Sequence, residues 1–506
     1  MNKRFTALFS VILIMSVTAT GVRSQSITNT LDRYFRSLVE SHGFNGNVLV
    51  ADHGRIVYQK SFGYADLSTK RLNTQTSVFP IASITKTFTA TAILQLQEKG
   101  KLHTNDLVKH HLPGFPYPTV TIRHLLAHTS GVPGYGILFD SIRLAHPDTI
   151  FTNAAILPGY RDVKPPLDFQ PGENGSYQNT NFILLALIIE KVSGMPYKHY
   201  IHDNIFKPAK ITHTVFPSFP FYHYTPAERK NLTQTYYRPR PYSDAVQQPD
   251  TVPFVSRYWY NYNFNGFGEL LSTTDDLLKY DQALYNGKLL QDKTLQQAFI
   301  PVRLNDGREN PVGNGLGWQV DKDSTLGKTV LHGGGGFGLS AVLMRNVTQQ
   351  QTVIIIDNMH PQSSLFVNAM GRSALKILNG QTVVPPARSF ARVCGTLVVS
   401  KGPQAAQAFF KQHQTDTVHY DISEDEMNNM GYALMNDNKL DHALEIFSMN
   451  TKLFPYSFNV FDSYGEALLA KGRKQEALEM YRKSLVLKPD SPSGLDAVKK
   501  ITETMK

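Results

Sequence analysis

The sequence predicts an α+β region followed by an all-α region. Three observations carry this expectation. Strand-like segments stand at both ends of residues 25–385 with helical segments between them, Pro385-Pro386 interrupts the pattern, and a repeat with an offset of 34 residues follows.

The first strand-like stretch, GNVLVADHGRIVYQKSFGYA, is a hairpin in pattern with its turn signal at Asp52-His53-Gly54. Helical stretches such as NFILLALIIEKVSG come next, and GLGWQV, TVLHGGGGFGLSAVLMRN and TVIIIDN then read as three further strands. This arrangement places the two terminal segments of the region in one sheet.

Beyond about residue 400 the pattern changes to helix pairs. Gly431, Ala433, Leu434, Ala443, Leu444, Phe447, Leu453 and Pro455 recur as Gly465, Ala467, Leu468, Ala477, Leu478, Tyr481, Leu487 and Pro489, each displaced by 34 residues. Small residues where paired helices cross, with a proline closing each unit, resemble the tetratricopeptide repeat. The expected organisation is a linker and capping helix over 386–420, then two tetratricopeptide-like repeats with a further capping helix over 421–506. Two repeats are fewer than a free-standing solenoid needs, so the helical segments at 404–413 and 495–504 are expected to cap them.

The chain begins MNKRFTALFSVILIMSVTATGVRSQS. Lys3 and Arg4, an apolar stretch from Phe5 to Val17, and small residues placed for cleavage before Gln25 read as a signal peptide over residues 1–24. Its apolar part is short for a membrane span, so the protein is expected to be exported, periplasmic or secreted, with no transmembrane segment after cleavage. With 506 residues, 41% of them hydrophobic, the chain can bury a core in each of two domains. The single cysteine, Cys394, cannot form an intramolecular disulfide and is expected to be an inert packed thiol. Losing Lys3, Arg4 and Arg23 with the leader lowers the net charge from +10 to +7. The bases are dispersed and no nucleic-acid motif accompanies them, so no nucleic-acid partner is expected.

Chemistry enters at VFPIASITKTFTATAILQLQ, residues 78–97. Apolar residues recur at near-helical spacing after Phe88, and the segment before Ser83 reads as extended, which places Ser83 at or near the first turn of a helix. A serine there is ordinarily an N-cap. One helical turn also sets Lys86 beside Ser83. If apolar neighbours desolvate that ammonium, the neutral amine becomes available to take the serine proton.

Three more motifs follow in order. LLAHTSGVPGY carries His128 and Ser130, Tyr177-Gln178-Asn179 precedes a helix, and LHGGGGFGLS carries His332 and four glycines. Each has an ordinary reading: a turn and cap at His128 to Gly131, a packed aromatic at Tyr177, a helix cap at Asn179, a satisfied surface histidine at His332, a bulge at the glycines. Taken together, the order S-I-T-K, H-T-S-G, Y-Q-N, H-G-G resembles the serine β-lactamase-like hydrolases related to class C β-lactamases, D-alanyl-D-alanine carboxypeptidases and certain esterases, over residues 30–380.

The resemblance implies a β-lactamase/transpeptidase-like domain, with an antiparallel sheet flanked by helices plus an all-helical region. It implies catalytic roles for Ser83 as acylated nucleophile, Lys86 as its base partner and Tyr177. Asn179, His332, Gly333 and Gly334 would bind substrate, and the N–H groups of Ser83 and Gly335 would form the oxyanion hole. No cofactor and no metal is implied.

The residue types suit acyl transfer in their own right. Lys86 and Tyr177 could share a proton shuttle if the lysine's charge depressed the phenol's pKa. Asn179 can hold a substrate carbonyl and fix Lys86, and glycines after His332 let backbone approach substrate closely. Neither a G-x-S-x-G elbow nor an H-E-x-x-H zinc helix occurs in the sequence. His332 stands where class C β-lactamases carry the lysine of Lys-Thr-Gly. A largely neutral imidazole offers no fixed charge to a carboxylate, which favours an ester or a D-amino-acid amide over a β-lactam. The pocket wall is expected from the insertion at 136–168 and from the aromatic-rich FPSFPFYHYTPAERKNLTQTYYRPRPYSD.

The expected function is an exported serine hydrolase acting through an acyl-enzyme on a small ester, amide or peptide. A D,D-carboxypeptidase or D-aminopeptidase on cell-wall peptides is the alternative within the same chemistry. A non-catalytic binding protein using the pocket and repeats is the alternative of another class, against which stands the presence of Ser83, Lys86 and Tyr177 together. A protein partner, where there is one, is expected at the C-terminal repeats.

Overall fold

The computed structural model describes residues 25–218, 224–253, 261–323, 325–359 and 364–505. The signal peptide expected over 1–24 lies outside the described residues. The chain forms two compact units, one of Met1–Val39, Gly43–Tyr237 and Gln247–Val383, the other of Glu40–His42, Arg238–Val246 and Val384–Lys506.

The first unit is built on a six-stranded antiparallel sheet in the order β2-β1-β6-β5-β4-β3. Its strands are β1 (Gly46–Asp52), β2 (Arg55–Phe62), β3 (Gln319–Val320), β4 (Thr329–Gly336), β5 (Leu339–Asn346) and β6 (Gln351–Asp357). β1 meets β2 through the expected turn, where His53 and Gly54 both take positive φ. It also pairs with β6, Gly46 opposite Asp357, so the two ends of the region share one sheet. The segment TVLHGGGGFGLSAVLMRN, expected as one strand, folds back on itself as β4 and β5, with Gly338 at φ 71°. Glycine suits strand and turn alike, so a run of glycines hides where the turn falls.

Helices α1 (residues 25–42), α2 (Thr85–Glu98), α3 (Gly136–Ala145), α4 (Ile156–Val163), α5 (Asn179–Ser193), α6 (Thr274–Tyr285) and α7 (Ser364–Leu378) accompany the sheet. Alternate strand residues face opposite sides. Val48, Val50, Val353 and Ile355 pack with Phe35 and Leu38 of α1 and Val367 and Met370 of α7. Leu49, Ala51, Ile354 and Ile356 face the larger helical layer. Both faces are covered, which explains why these strands read as nearly continuous apolar runs. At the centre of the helical layer, α2 is buried from Thr85 through Leu96. Its threonines are satisfied inside the core, Thr89 by the Gly266 carbonyl and Tyr197 hydroxyl, Thr91 by Tyr280. Among the described residues no helix is long and apolar enough to cross a membrane.

The second unit contains α8 (Phe390–Ser400), α9 (Pro403–His413), α10 (Glu424–Asn436), α11 (Leu440–Leu453), α12 (Phe458–Ala470), α13 (Lys474–Leu487) and α14 (Pro492–Thr504). The glycines of the 34-residue pattern stand where paired helices touch. A β-carbon on Gly431 would lie 2.5 Å from the Phe447 ring, and one on Gly465 would lie 3.1 Å from the Tyr481 ring. The stretch after Pro386 holds an additional helix, α8, whose N-cap Ser389 accepts the Arg392 N–H at 3.1 Å. Cys394 is buried within it, and burial pushes its thiol up to about 12, leaving it protonated and inert.

Arg238–Val246 also belongs to this second unit. Tyr242 sits in the same core as Phe390 and Met430, 3% exposed, and its hydroxyl donates to Asp437. The Arg392 guanidinium donates to the carbonyls of Pro241 and Ser243 and to the Asp244 carboxylate.

Candidate active site

Phe79–Pro80 pairs with Leu271–Ser272, and the chain then enters the short turn Ala82–Ile84 that leads into α2. Ala82 takes φ 43°, a left-handed conformation uncommon for a residue with a side chain, immediately before Ser83. The turn is held by Ile81 N–H donating to Leu270 O at 3.0 Å and by Ile84 N–H donating to Ile81 O at 3.2 Å. Ser83 thereby faces a cleft that it lines together with Asn179 and Gly335.

Lys86 is fully buried, and its Nζ lies 3.0 Å from Ser83 Oγ, 2.8 Å from Asn179 Oδ1 and 2.9 Å from the Phe267 carbonyl oxygen. The rings of Tyr177, Phe267 and Phe182 surround it at 4.9, 5.2 and 5.7 Å. Burial drives its pKa well below the ordinary value, with Glu269 pulling the other way. A neutral amine carries two N–H bonds and one lone pair. Asn179 Oδ1 and the Phe267 carbonyl can only accept, so they take both N–H bonds and the lone pair is left to face Ser83 Oγ. In that form the amine is placed to receive the Ser83 proton.

Tyr177 hangs on the H-T-S-G turn. His128, at φ 58°, accepts the Ser176 N–H on its carbonyl at 2.9 Å and the Gln178 N–H on its Nδ1 at 3.1 Å. The His128 ring stacks on Tyr177 with centroids 4.3 Å apart. Ser130 is buried and donates to Asn181 Oδ1 at 2.7 Å, which braces the same segment from α5. Tyr177 is 40% exposed as a residue, with its hydroxyl on the side of Ser83. Desolvation raises the phenol's pKa, and the nearby Ser83 hydroxyl offsets only part of that. The expectation of a phenol depressed by Lys86 is therefore corrected: the lysine, not the tyrosine, is shifted toward its basic form. Asn179 is the first residue of α5, Gln178 before it making no side-chain cap bond, and its side chain is committed to Lys86.

His332 is buried rather than at the surface, 2% exposed, its Nδ1 bonded to the Gly333 carbonyl at 2.8 Å. Burial, and secondly the charge of Lys86, pull its pKa down to about 3, so the ring is neutral at pH 7. Its centroid lies 6.5 Å from that of Tyr177, and it does not line the cleft. Gly334 meets the backbone of Ile81, whereas Gly335 opens onto the cleft with nothing within 4 Å of where a β-carbon would stand.

No lysine, arginine or histidine is among the described residues lining the cleft. Tyr224 and Thr235 of the aromatic-rich stretch contribute to its wall, part of that stretch lying outside the described residues. The insertion at 136–168 contributes none, because α3 and α4 turn Leu138, Phe139, Ile156 and Tyr160 into the core instead. Glu269 and the Phe267 carbonyl escaped the sequence reading. The signal for them was an acid between glycine and leucine in Gly266-Phe267-Gly268-Glu269-Leu270, an otherwise apolar run.

The beta-lactamase family model matches residues 31–373. Penicillin-binding protein 4* of Bacillus subtilis (strain 168) is 38% identical over 365 residues, covering 71% of this chain and 77% of that protein. The crystal structure of a penicillin binding protein from Bacillus halodurans superposes with a TM-score of 0.54 at 26% identity, covering 67% of this chain and 98% of that one. EstCE1, described as a hydrolase with promiscuous acyltransferase activity, shares the fold with a TM-score of 0.57 at 21% identity, covering 70% of this chain and 99% of that one. With the family matched across most of its length and the serine and lysine of that chemistry in contact, the chain belongs to the beta-lactamase family of serine hydrolases.

Proposed function

We propose that the protein is an exported hydrolase that cleaves a small neutral ester or amide through an acyl-enzyme on Ser83. The observation that carries this reading is the Lys86 amine, 3.0 Å from Ser83 Oγ with acceptors in both of its remaining directions. Lys86 takes the Ser83 proton as Oγ bonds to the substrate carbonyl carbon, and the N–H groups of Ser83 and Gly335 receive the oxyanion. The carbonyl re-forms as the bond to the leaving group breaks. Tyr177 hands that group a proton, which Lys86 replaces. Water then attacks the acyl carbon by the same path, freeing the acid and returning the proton to Ser83.

The cleft speaks against an anionic acyl group, since none of its described lining residues is a cation, Glu269 among them is an acid, and His332 is neutral. Kinship to penicillin-binding protein 4* favours the second reading, a D,D-peptidase on cell-wall peptides. The leader-like N-terminus supports export. The paired helices of the second unit support a tetratricopeptide-like module that binds a protein partner.

The test is a hydrolysis panel of p-nitrophenyl esters, D-amino-acid amides, nitrocefin and a peptide ending in two D-alanines, with fluorophosphonate labelling alongside. Neutral esters should be turned over, the label should map to Ser83, and Ser83→Ala should lose both. Release of D-alanine faster than hydrolysis of any ester would replace the reading with the peptidase. No turnover and no labelling would leave a binding protein.

A further inference from the structure

The turn that carries the Phe267 carbonyl is built around a buried acid. Glu269 is 3% exposed, its Oε1 accepting the Gly266 N–H at 2.8 Å and its Oε2 the Gly268 N–H at 3.0 Å. The Gly268 N–H shares a peptide plane with the Phe267 carbonyl, so the carboxylate pins the very peptide unit whose carbonyl accepts Lys86, and through the Gly266 N–H it holds the start of the turn as well. The far side of the turn is fixed too. Thr89 of α2 donates to the Gly266 carbonyl at 2.6 Å, and Gly266, at φ 111°, lies so close to α5 that a β-carbon would meet the Phe182 carbonyl oxygen at 2.5 Å.

We propose that Glu269 is a positioning residue for the acylation step: its carboxylate sets the 266–268 turn so that the Phe267 carbonyl holds Lys86 with its lone pair toward Ser83. A backbone carbonyl on a glycine-flanked turn is otherwise free to swing, and Lys86 with it. Glu269 is also the acid whose charge favours the protonated form of Lys86. The other titratable groups facing Lys86 are Tyr177, His128 and His332, the two histidines held neutral at pH 7 by burial. Those facing Glu269 are Lys198 and Tyr197. Burial is what lowers the Lys86 pKa most, and the same carboxylate, its own pKa raised by burial, aims the base and opposes the loss of its proton. This rests on Lys86 acting as the base.

The experiment is the pH dependence of kcat and kcat/KM on a p-nitrophenyl ester for the full chain and for Glu269→Gln, Glu269→Asp and Lys86→Ala. Glu269→Gln should lower kcat by roughly tenfold or more, leave KM within about threefold, and move the acid limb of kcat/KM to lower pH, because the charge opposing loss of the Lys86 proton is gone. Glu269→Asp keeps the charge but cannot span both N–H groups, so kcat should fall while the acid limb stays in place. A folded Glu269→Gln with kcat within about twofold of wild type and an unmoved acid limb overturns the inference. Should that variant not fold, wild-type kcat in Glu269→Asp overturns it instead. Lys86→Ala separates the two levels: activity retained there sinks the proposed function, whereas an inactive Lys86→Ala beside a wild-type Glu269→Gln sinks only the role of Glu269.

Discussion

A β-carbon on Gly334 would stand 2.3 Å from the carbonyl oxygen of Ile81, so β4 and the turn carrying Ser83 touch backbone to backbone. Neither side can yield by rotating a side chain. Gly334→Ala must push the strand from the turn, costing about 1–3 kcal/mol of stability and moving the Gly335 N–H, the proposed second oxyanion donor, away from Ser83. Gly335→Ala meets nothing within 4 Å and should keep its stability. Ester turnover and thermal melts of both variants check this. Wild-type turnover in Gly334→Ala would mean the close contact relaxes without consequence.

Buried Lys86 makes stability depend on pH in a defined direction. Its folded pKa lies well below the ordinary 10.5, so between the two values the unfolded chain holds a proton that the folded chain does not. Raising the pH through that window favours folding, by about 1.4 kcal/mol per unit at most. Lys86→Met removes this titration. The stability of wild type relative to Lys86→Met should therefore rise with pH below the ordinary lysine value of 10.5, read from paired urea titrations. A constant difference would mean that Lys86 is charged in the folded protein.

His332 does not line the cleft, which has no cation among its described lining residues, and His332→Lys tests whether a longer, charged side chain at that position reaches it. The ratio of kcat/KM for a carboxylate-bearing ester to that for its methyl ester should rise roughly tenfold. Neutral substrates should gain nothing. An unchanged ratio places position 332 beyond the substrate's reach.

Tyr242 anchors a nine-residue visitor in the core of the second unit, and its loss should register there. Tyr242→Ala should cost about 3–5 kcal/mol and Tyr242→Phe, which loses only the bond to Asp437, about 1–2 kcal/mol. Denaturant melts followed by far-UV circular dichroism report on these helices. Two variants indistinguishable from wild type would show that the segment merely rests on the unit.

The sheet was legible because β1 and β6 are buried on both faces and write that burial as apolar runs. The contact between Ser83 and Lys86 was legible because one helical turn fixes their spacing, whereas the roles expected of them came from the order of all four motifs. What escaped depends on contacts far apart in sequence. Glu269 acts through a turn that reaches Lys86 across 181 residues, and no local pattern records such a meeting. The insertion at 136–168 offered no sign that Leu138, Phe139, Ile156 and Tyr160 would face the core rather than the cleft. α8 went unseen because Pro385-Pro386 signals an interruption and says nothing about what resumes after it.

Tyr242 and its partner Asp437 are 195 residues apart. During synthesis the aromatic loop leaves the ribosome long before the helices that enclose it exist. A chain that stops short of α10 carries Tyr242 with nothing to cover it, an exposed aromatic of the kind that chaperones and proteases engage. The loop thus stays uncovered until the second unit has been made, and the burial of Tyr242 must wait for it.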